Sequence, residues 1–184
     1  MKILDRLPIS DDRTSLRFGD RYITIHANQI LVWVSLHLSE VLVPEVNIPR
    51  FPALLDTGNN FGFSVQDRHL REWAGIDPGL LGFLGDIEIN EQVVTRRKAT
   101  VWLYPNVPGR QDTAVGGSPF RLDLSQGIAV YTPDAVPPGP RLPLLGLPAF
   151  LENHLDFWLD PERRHITVQS RNWRRALIRL LCRL

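Results

Sequence analysis

One stretch of the chain brings together residue types that could do chemistry. The apolar run 53–55 (Ala-Leu-Leu) leads straight into Asp56-Thr57-Gly58. A carboxylate placed directly behind a buried strand is costly unless its neighbours compensate. Gly58 lets the backbone approach closely and can bring an amide donor to the Asp56 carboxylate. The Thr57 hydroxyl can brace the loop through hydrogen bonds. An aspartate held in this way is a candidate general base for activating water. The competing reading is an ordinary β-turn, since Asp and Gly both favour turns. A second motif bears on the choice. Residues 142–148 (LPLLGLP) echo 52–58 (PALLDTG), each an apolar run ending at a glycine turn, although 142–148 also reads as plain core plus turn.

Other chemistries find no matching pattern. The five histidines lack metal-ligand spacing such as H-E-x-x-H, and no P-loop or G-x-S-x-G elbow is present. Cys182 sits in a tail without the His and Asn context of a catalytic thiol. The glycines of 79–85 (GLLGFLG) do not fit G-x-G-x-x-G. Neither metal nor cofactor is expected.

The elements that must position Asp56 are short. Fifteen prolines and thirteen glycines cut the pattern into pieces, which favours strands over long helices. Residues 21–26, 30–38, 61–65, 86–89, 92–104 and 126–131 read as strands, with 41–48 extended and Pro44 marking an edge or bulge. A turn at Asn90-Glu91 joins two of them. Short helices are expected at 66–74 and 147–154, and a hairpin at 156–160 and 165–169 around a turn at 161–163. Residues 105–119 form a loop too long for a tight turn. Residues 133–143 are a proline-rich connector. The last segment, 171–184, places Trp173, Ala176, Leu177, Leu180, Leu181 and Leu184 on one helical stripe with its arginines mainly off it. It reads as a basic amphipathic helix. Such a helix docks on its own domain or a partner copy, lies on an anionic membrane or in a partner groove, or frays. The sum is a mostly-β domain over 1–170 followed by that helix.

The arrangement Leu54-Leu55-Asp56-Thr57-Gly58, followed by a strand and later by Leu144-Leu145-Gly146, resembles the retropepsin family of aspartic peptidases. The resemblance covers residues 20–170, strongly at the two motifs and loosely between them. It implies a single-lobe, retropepsin-like closed β-barrel (the acid-protease fold) with short helices. It further implies that Asp56 is catalytic, and that Thr57, Gly58, Leu145 and Gly146 support its loop. Family members usually carry Ala or Ser after Asp-Thr-Gly. Asn59 stands there instead, near the substrate backbone, where it can offer hydrogen bonds. A flap covers the site in the family. The tract 79–85 is one candidate, which would set Gly82 and Phe83 against substrate, and the turn at Asn90-Glu91 is the other.

Aspartic peptidase chemistry needs two such carboxylates, one ionised and one protonated. No second Asp has a comparable setting: Asp123 precedes Leu-Ser, Asp156 precedes Phe-Trp, and Asp160 precedes Pro. The expectation is therefore a homodimer with one Asp56 from each copy at the two-fold axis. The resemblance has Thr57 hydrogen-bond across that axis. The substrate is then a peptide or protein. Two other readings stand beside this one: a dimeric module of the same fold that holds a peptide without cutting it, and a peptidase tethered through 171–184 to a membrane or partner.

Bulk properties fit. The chain has 184 residues, 43% apolar and 22% charged, enough for one domain with a sizeable core. A net charge of +1 gives no global field that would favour nucleic acid. The apolar residues of the N-terminus are interrupted by Asp5 and Arg6, unlike a signal peptide, and no apolar run is long enough to span a bilayer. One cysteine excludes an intrachain disulfide framework and fits a reducing compartment, so a cytoplasmic protein, at most peripheral to a membrane, is expected.

Overall fold

Strands dominate, as the turn-rich composition predicts. The computed structural model describes residues 2–39, 41, 47–89, 92–111, 118–132 and 139–171. Several expectations lie outside these residues: Pro44, the Asn90-Glu91 turn, the middle of the 105–119 loop, most of the proline-rich connector, and the helix over 171–184 beyond Arg171, with Cys182. Among the described residues, no helix is long and apolar enough to cross a membrane.

The strands in chain order are β1 (Lys2–Pro8), β2 (Thr14–Phe18), β3 (Arg21–Ile25), β4 (Ile30–Leu38), β5 (Phe51–Asp56), β6 (Phe63–Gln66), β7 (Gly82–Ile89), β8 (Gln92–Tyr104), β9 (Phe120–Leu122), β10 (Ile128–Tyr131), β11 (Leu144–Gly146), β12 (Leu155–Asp160) and β13 (His165–Ser170). Helices are short. α1 (Asp67–His69) runs into a π-helical turn at Leu70–Ala74, a 3-10 turn spans Pro78–Leu80, and α2 covers Leu147–Glu152.

The main sheet runs β10-β6-β11-β5-β4-β8-β7, with β9 also on β8. The thirteen-residue β8 pairs with β10 as well, so six strands close into a ring. The long strand makes this closure. Its 92–98 half pairs with β7 and its 99–104 half pairs with β4. β4 is covered on both pleat faces and so loses simple alternation: Val32, Val34 and Leu36 join the main core, Leu31 packs with Ile23 and Ile25 of β3, and Ser35 is buried as well.

β11 sets the geometry of the site. β5 and β6 are consecutive strands, yet they are not neighbours. β11 lies between them, parallel to β5 and antiparallel to β6. Its register pairs Leu144 with Leu54, Leu145 with Leu55 and Gly146 with Asp56. The two echoing segments of the sequence are thus laid side by side. The Leu54 amide donates to the Pro143 carbonyl (2.8 Å), and the Gly146 amide donates to the Gly62 carbonyl (2.9 Å).

A second sheet, β1-β13-β12, joins the first strand to the last two. Ile3, Leu4, Leu7, Ile166 and Val168 enter the same core cluster as β4, β5, β6 and β8. β1 is not evident from its sequence, because Asp5 and Arg6 interrupt the apolar pattern. Register shifts on both sides of Leu4, and a positive φ of 49° at Arg6, let Leu4 and Leu7 both face inward.

Candidate active site

Asp56 is the last residue of β5 and is partly exposed. Its Oδ1 accepts the Gly58 amide at 2.9 Å, and its carbonyl accepts the Asn59 amide at 3.2 Å. The first of these is the bond expected from the sequence. A Cβ on Gly58 would stand 3.3 Å from that same Oδ1, so glycine permits the approach. Thr57 is exposed beside it. Leu145 and Gly146 are buried behind the loop.

Gly146 admits no side chain. A Cβ there would fall on the Phe61 carbonyl oxygen, far inside contact distance, and 2.9 Å from the Asn59 carbonyl oxygen. The loop from 57 to 62 therefore wraps directly over the glycine of β11.

Asn59 is turned into the loop. Its Oδ1 accepts the Phe61 amide (3.4 Å) and the Ser64 hydroxyl (3.0 Å). Ser64 is fully buried on β6 and also hydrogen-bonds the Tyr131 phenol, whose pKa is raised by burial and partly lowered by that bond. The Asn59 Nδ2 is buried and has no hydrogen-bond partner among the described residues. Its oxygen is thus committed to bracing the loop, and only the amide donor is left for other use.

Phe61 belongs to a small apolar cluster with Val94 and Ala129, against which Ile87, Ile89 and Tyr131 pack. This cluster ties the outer end of the β7–β8 hairpin to the Asp56 loop. Gly82 and Phe83 lie at the opposite end of β7, across from Lys98 and Arg97, with Phe83 exposed beneath the Arg97 guanidinium. Of the two flap candidates, the hairpin end next to Asn90-Glu91 is the one linked to the loop. Sequence alone does not single out Phe61, Ser64 and Tyr131. Ser64 and Tyr131 signal only alternation within their strands, Phe61 lies in the loop ahead of β6, and their meeting depends on long-range pairing of β6 with β10.

His69 secures β11 from outside. It is buried, with its ring 4.4 Å from that of Trp73, and its Nδ1 accepts the Gln66 amide at 3.4 Å. It is also hydrogen-bonded to the backbone of Arg141, just ahead of β11. Burial, and then the Arg68 charge, push its pKa from 6.5 down to about 4, against weaker opposition from Glu72 and the Arg141 bond. Because the folded pKa lies below the unfolded one, the neutral ring contributes fully above pH 6.5, and that stability is lost as pH falls toward 4. The loss is about 2–3 kcal/mol, since each tenfold change in proton affinity is worth about 1.4 kcal/mol. Urea unfolding of wild type and His69→Phe across pH 7 to 4 should show the slope in wild type and a flatter profile in the variant. Equal slopes would remove His69 as its source.

Grooves of about 580, 240 and 250 Å³ on the described surface are lined by residues other than 56–62. Asp56 itself is partly exposed. Among the described residues, no group of three or more His, Cys, Asp or Glu converges to hold a metal. No family model matches the chain, no curated protein matches its sequence, and no solved structure matches it.

Proposed function

We propose that the chain is an aspartic endopeptidase of retropepsin type, a single closed-barrel lobe that works as a homodimer without a cofactor. The observation that carries this reading is the register of Gly146 on Asp56. An apolar strand ending in glycine is threaded behind an aspartate loop whose carboxylate is gripped by the Gly58 amide yet partly exposed. That arrangement supports the reading because it leaves one carboxylate held and partly exposed, as half of a two-carboxylate site would need.

Two copies would bring their Asp56 side chains together. Close carboxylates cannot easily both ionise, so the pair holds one proton between them. The ionised member takes a proton from water as the water oxygen bonds to the scissile carbonyl carbon, while the protonated member donates to the carbonyl oxygen. The tetrahedral diol then collapses. The C–N bond breaks, the leaving nitrogen gains a proton from the pair, and no covalent enzyme intermediate forms. Thr57 and Gly58 hold the loop, Leu145 and Gly146 back it, and Asn59 braces it from within. An extended peptide would lie along strand edges under the outer β7–β8 hairpin. The single cysteine fits action in the cytoplasm.

Digestion of a mixed peptide library from acid to neutral pH, read by mass spectrometry, tests the proposal. Cleavage centred on apolar residues, with a bell-shaped pH dependence, is expected. Folding must be monitored in the acid arm because of His69. No cleavage by folded, dimeric protein would sink the peptidase reading in favour of a peptide-holding module. Asn59 favours that second reading, since its carboxamide stands where the resembling family has a smaller side chain.

A further inference from the structure

We propose that the 240 Å³ pocket between β3, the helical turns of 67–74 and the lead into β11 binds a small phosphate monoester as its dianion. The inference is independent of the peptidase reading. No residue of 56–62 lines the pocket, and its lining comes from one chain.

Charge sets this pocket apart. Arg21, Arg68 and Arg141 line it against a single acid, Glu72. Arg21 and Glu72 satisfy each other at 2.6 Å. Two positive charges are left over. Arg141 donates from its Nη2 to the neutral Thr24 carbonyl and pairs with no acid among the described residues. Arg68 has neither a hydrogen bond nor an ion pair among them. A phosphate monoester carries close to two negative charges at neutral pH and three strong acceptor oxygens. Guanidinium forks match such oxygens in pairs. The 580 Å³ groove, by contrast, sets Lys98 and Arg121 against Asp123 and Glu152, with no charge left over. The 250 Å³ groove is lined by no arginine, lysine or acid.

The pocket is held in shape without a ligand. His69, 3% exposed, lines it and hydrogen-bonds the Arg141 backbone. Leu142 and Ile23 sink into one apolar cluster, which fixes the lead into β11 against β3. Arginines anchored in this way lose little freedom on binding.

The lining also suits an organic group. Tyr22 is 73% exposed and has no ring partner among the described residues. A bare aromatic side chain beside cations offers an apolar face to the carbon part of an ester. The volume falls below the roughly 300 Å³ at which pockets for drug-sized ligands begin, so the ester is a small one.

Isothermal titration calorimetry on the full chain tests this, with inorganic phosphate and phenyl phosphate as probes at about pH 7.5 and fixed ionic strength. Phenyl phosphate should fill a single site per chain, several-fold more tightly than inorganic phosphate. Arg68→Ala should weaken it at least about tenfold, the loss of one charge-assisted pair. Arg68 is exposed and unpaired, so melting of that variant should not change. Arg68→Ala/Arg141→Ala should abolish saturation, and Tyr22→Ala should lose only the advantage of the phenyl ester. Because Arg141 leads into β11, saturating phenyl phosphate should raise the urea midpoint of wild type and not of the double variant. Undiminished binding in the double variant overturns the site. So does a wild type that shows no saturation up to about 10 mM of either probe. Equal affinity for the two probes overturns the ester and leaves free phosphate as the occupant. Binding that emerges only in Asp134→Asn overturns the proposal as well, because an acid of the chain itself would then fill the pocket.

Discussion

Asp56→Asn should abolish cleavage while leaving the folded dimer intact. Asparagine matches aspartate in size and keeps an oxygen for the Gly58 amide, so the loop bond of 2.9 Å has an acceptor in the variant. What disappears is the group able to take a proton from water. Loss of a positioned acid–base group costs about 10²–10⁴ in rate, and removing both members of a pair should reach the upper end of that range. The homodimer gives a sharper readout. When wild type and an equal amount of Asp56→Asn exchange subunits freely, only about a quarter of the dimers keep two aspartates. Activity per wild-type subunit should then fall by about half, since half of those subunits sit in mixed dimers. A chain that cleaves alone would show no such loss on mixing. Mass-spectrometric counting of products before and after exchange separates the two.

Gly146→Ala should be among the most damaging small substitutions in the described residues. The added methyl meets the Phe61 carbonyl and lies 2.9 Å from the Asn59 carbonyl, and both are backbone atoms of the Asp56 loop. Flexible side chains can move aside, but here the loop or β11 must shift. Either shift breaks the bond from the Gly146 amide to the Gly62 carbonyl. Overpacking of this kind costs about 1–3 kcal/mol, and the lost backbone bond adds to it. Activity should vanish before stability does, because the displaced loop carries Asp56. Gly19→Ala is the control. Gly19 has a φ of +58° but nothing within 4 Å of its would-be Cβ, so only the left-handed strain of about 1–2 kcal/mol remains. Urea midpoints of the two variants should differ clearly, with Gly146→Ala lower. Equal midpoints would mean that β11 yields more easily than its packing implies.

The parts of this molecule that are legible in sequence are those written in neighbouring residues. The apolar run into Asp56-Thr57-Gly58 foretells β5 and the Gly58 amide bond. The likeness of 52–58 to 142–148 foretells two similar apolar strands, which pairing places side by side, although the second runs directly into α2 rather than into a turn. The hairpin of β12 and β13 is readable from its turn, where the Arg163 amide donates to the Asp160 side chain at 2.9 Å. What escapes depends on distant partners. β1 hides its strand character behind Asp5 and Arg6, which its bulged pairing with β13 accommodates. β9 is three residues long and exists through its pairing with β8. Asn59 reads as a group facing substrate, and nothing local announces that Ser64 draws its oxygen inward. The cluster of Phe61 with Val94 and Ala129 needs the Asp56 loop and two separate strands to converge.

The placement of β11 also governs how the chain can come to be folded. β5 and β6 emerge early in synthesis, but the strand that fills the gap between them lies at Leu144–Gly146, after β7 to β10 have been made. Until then β5 and β6 each present an unpaired edge. Closing so distant a contact carries a loop-entropy cost that local hairpins such as β2–β3 avoid. The nascent chain therefore carries two sticky edges through most of its translation, and the half-site is among the last features to form.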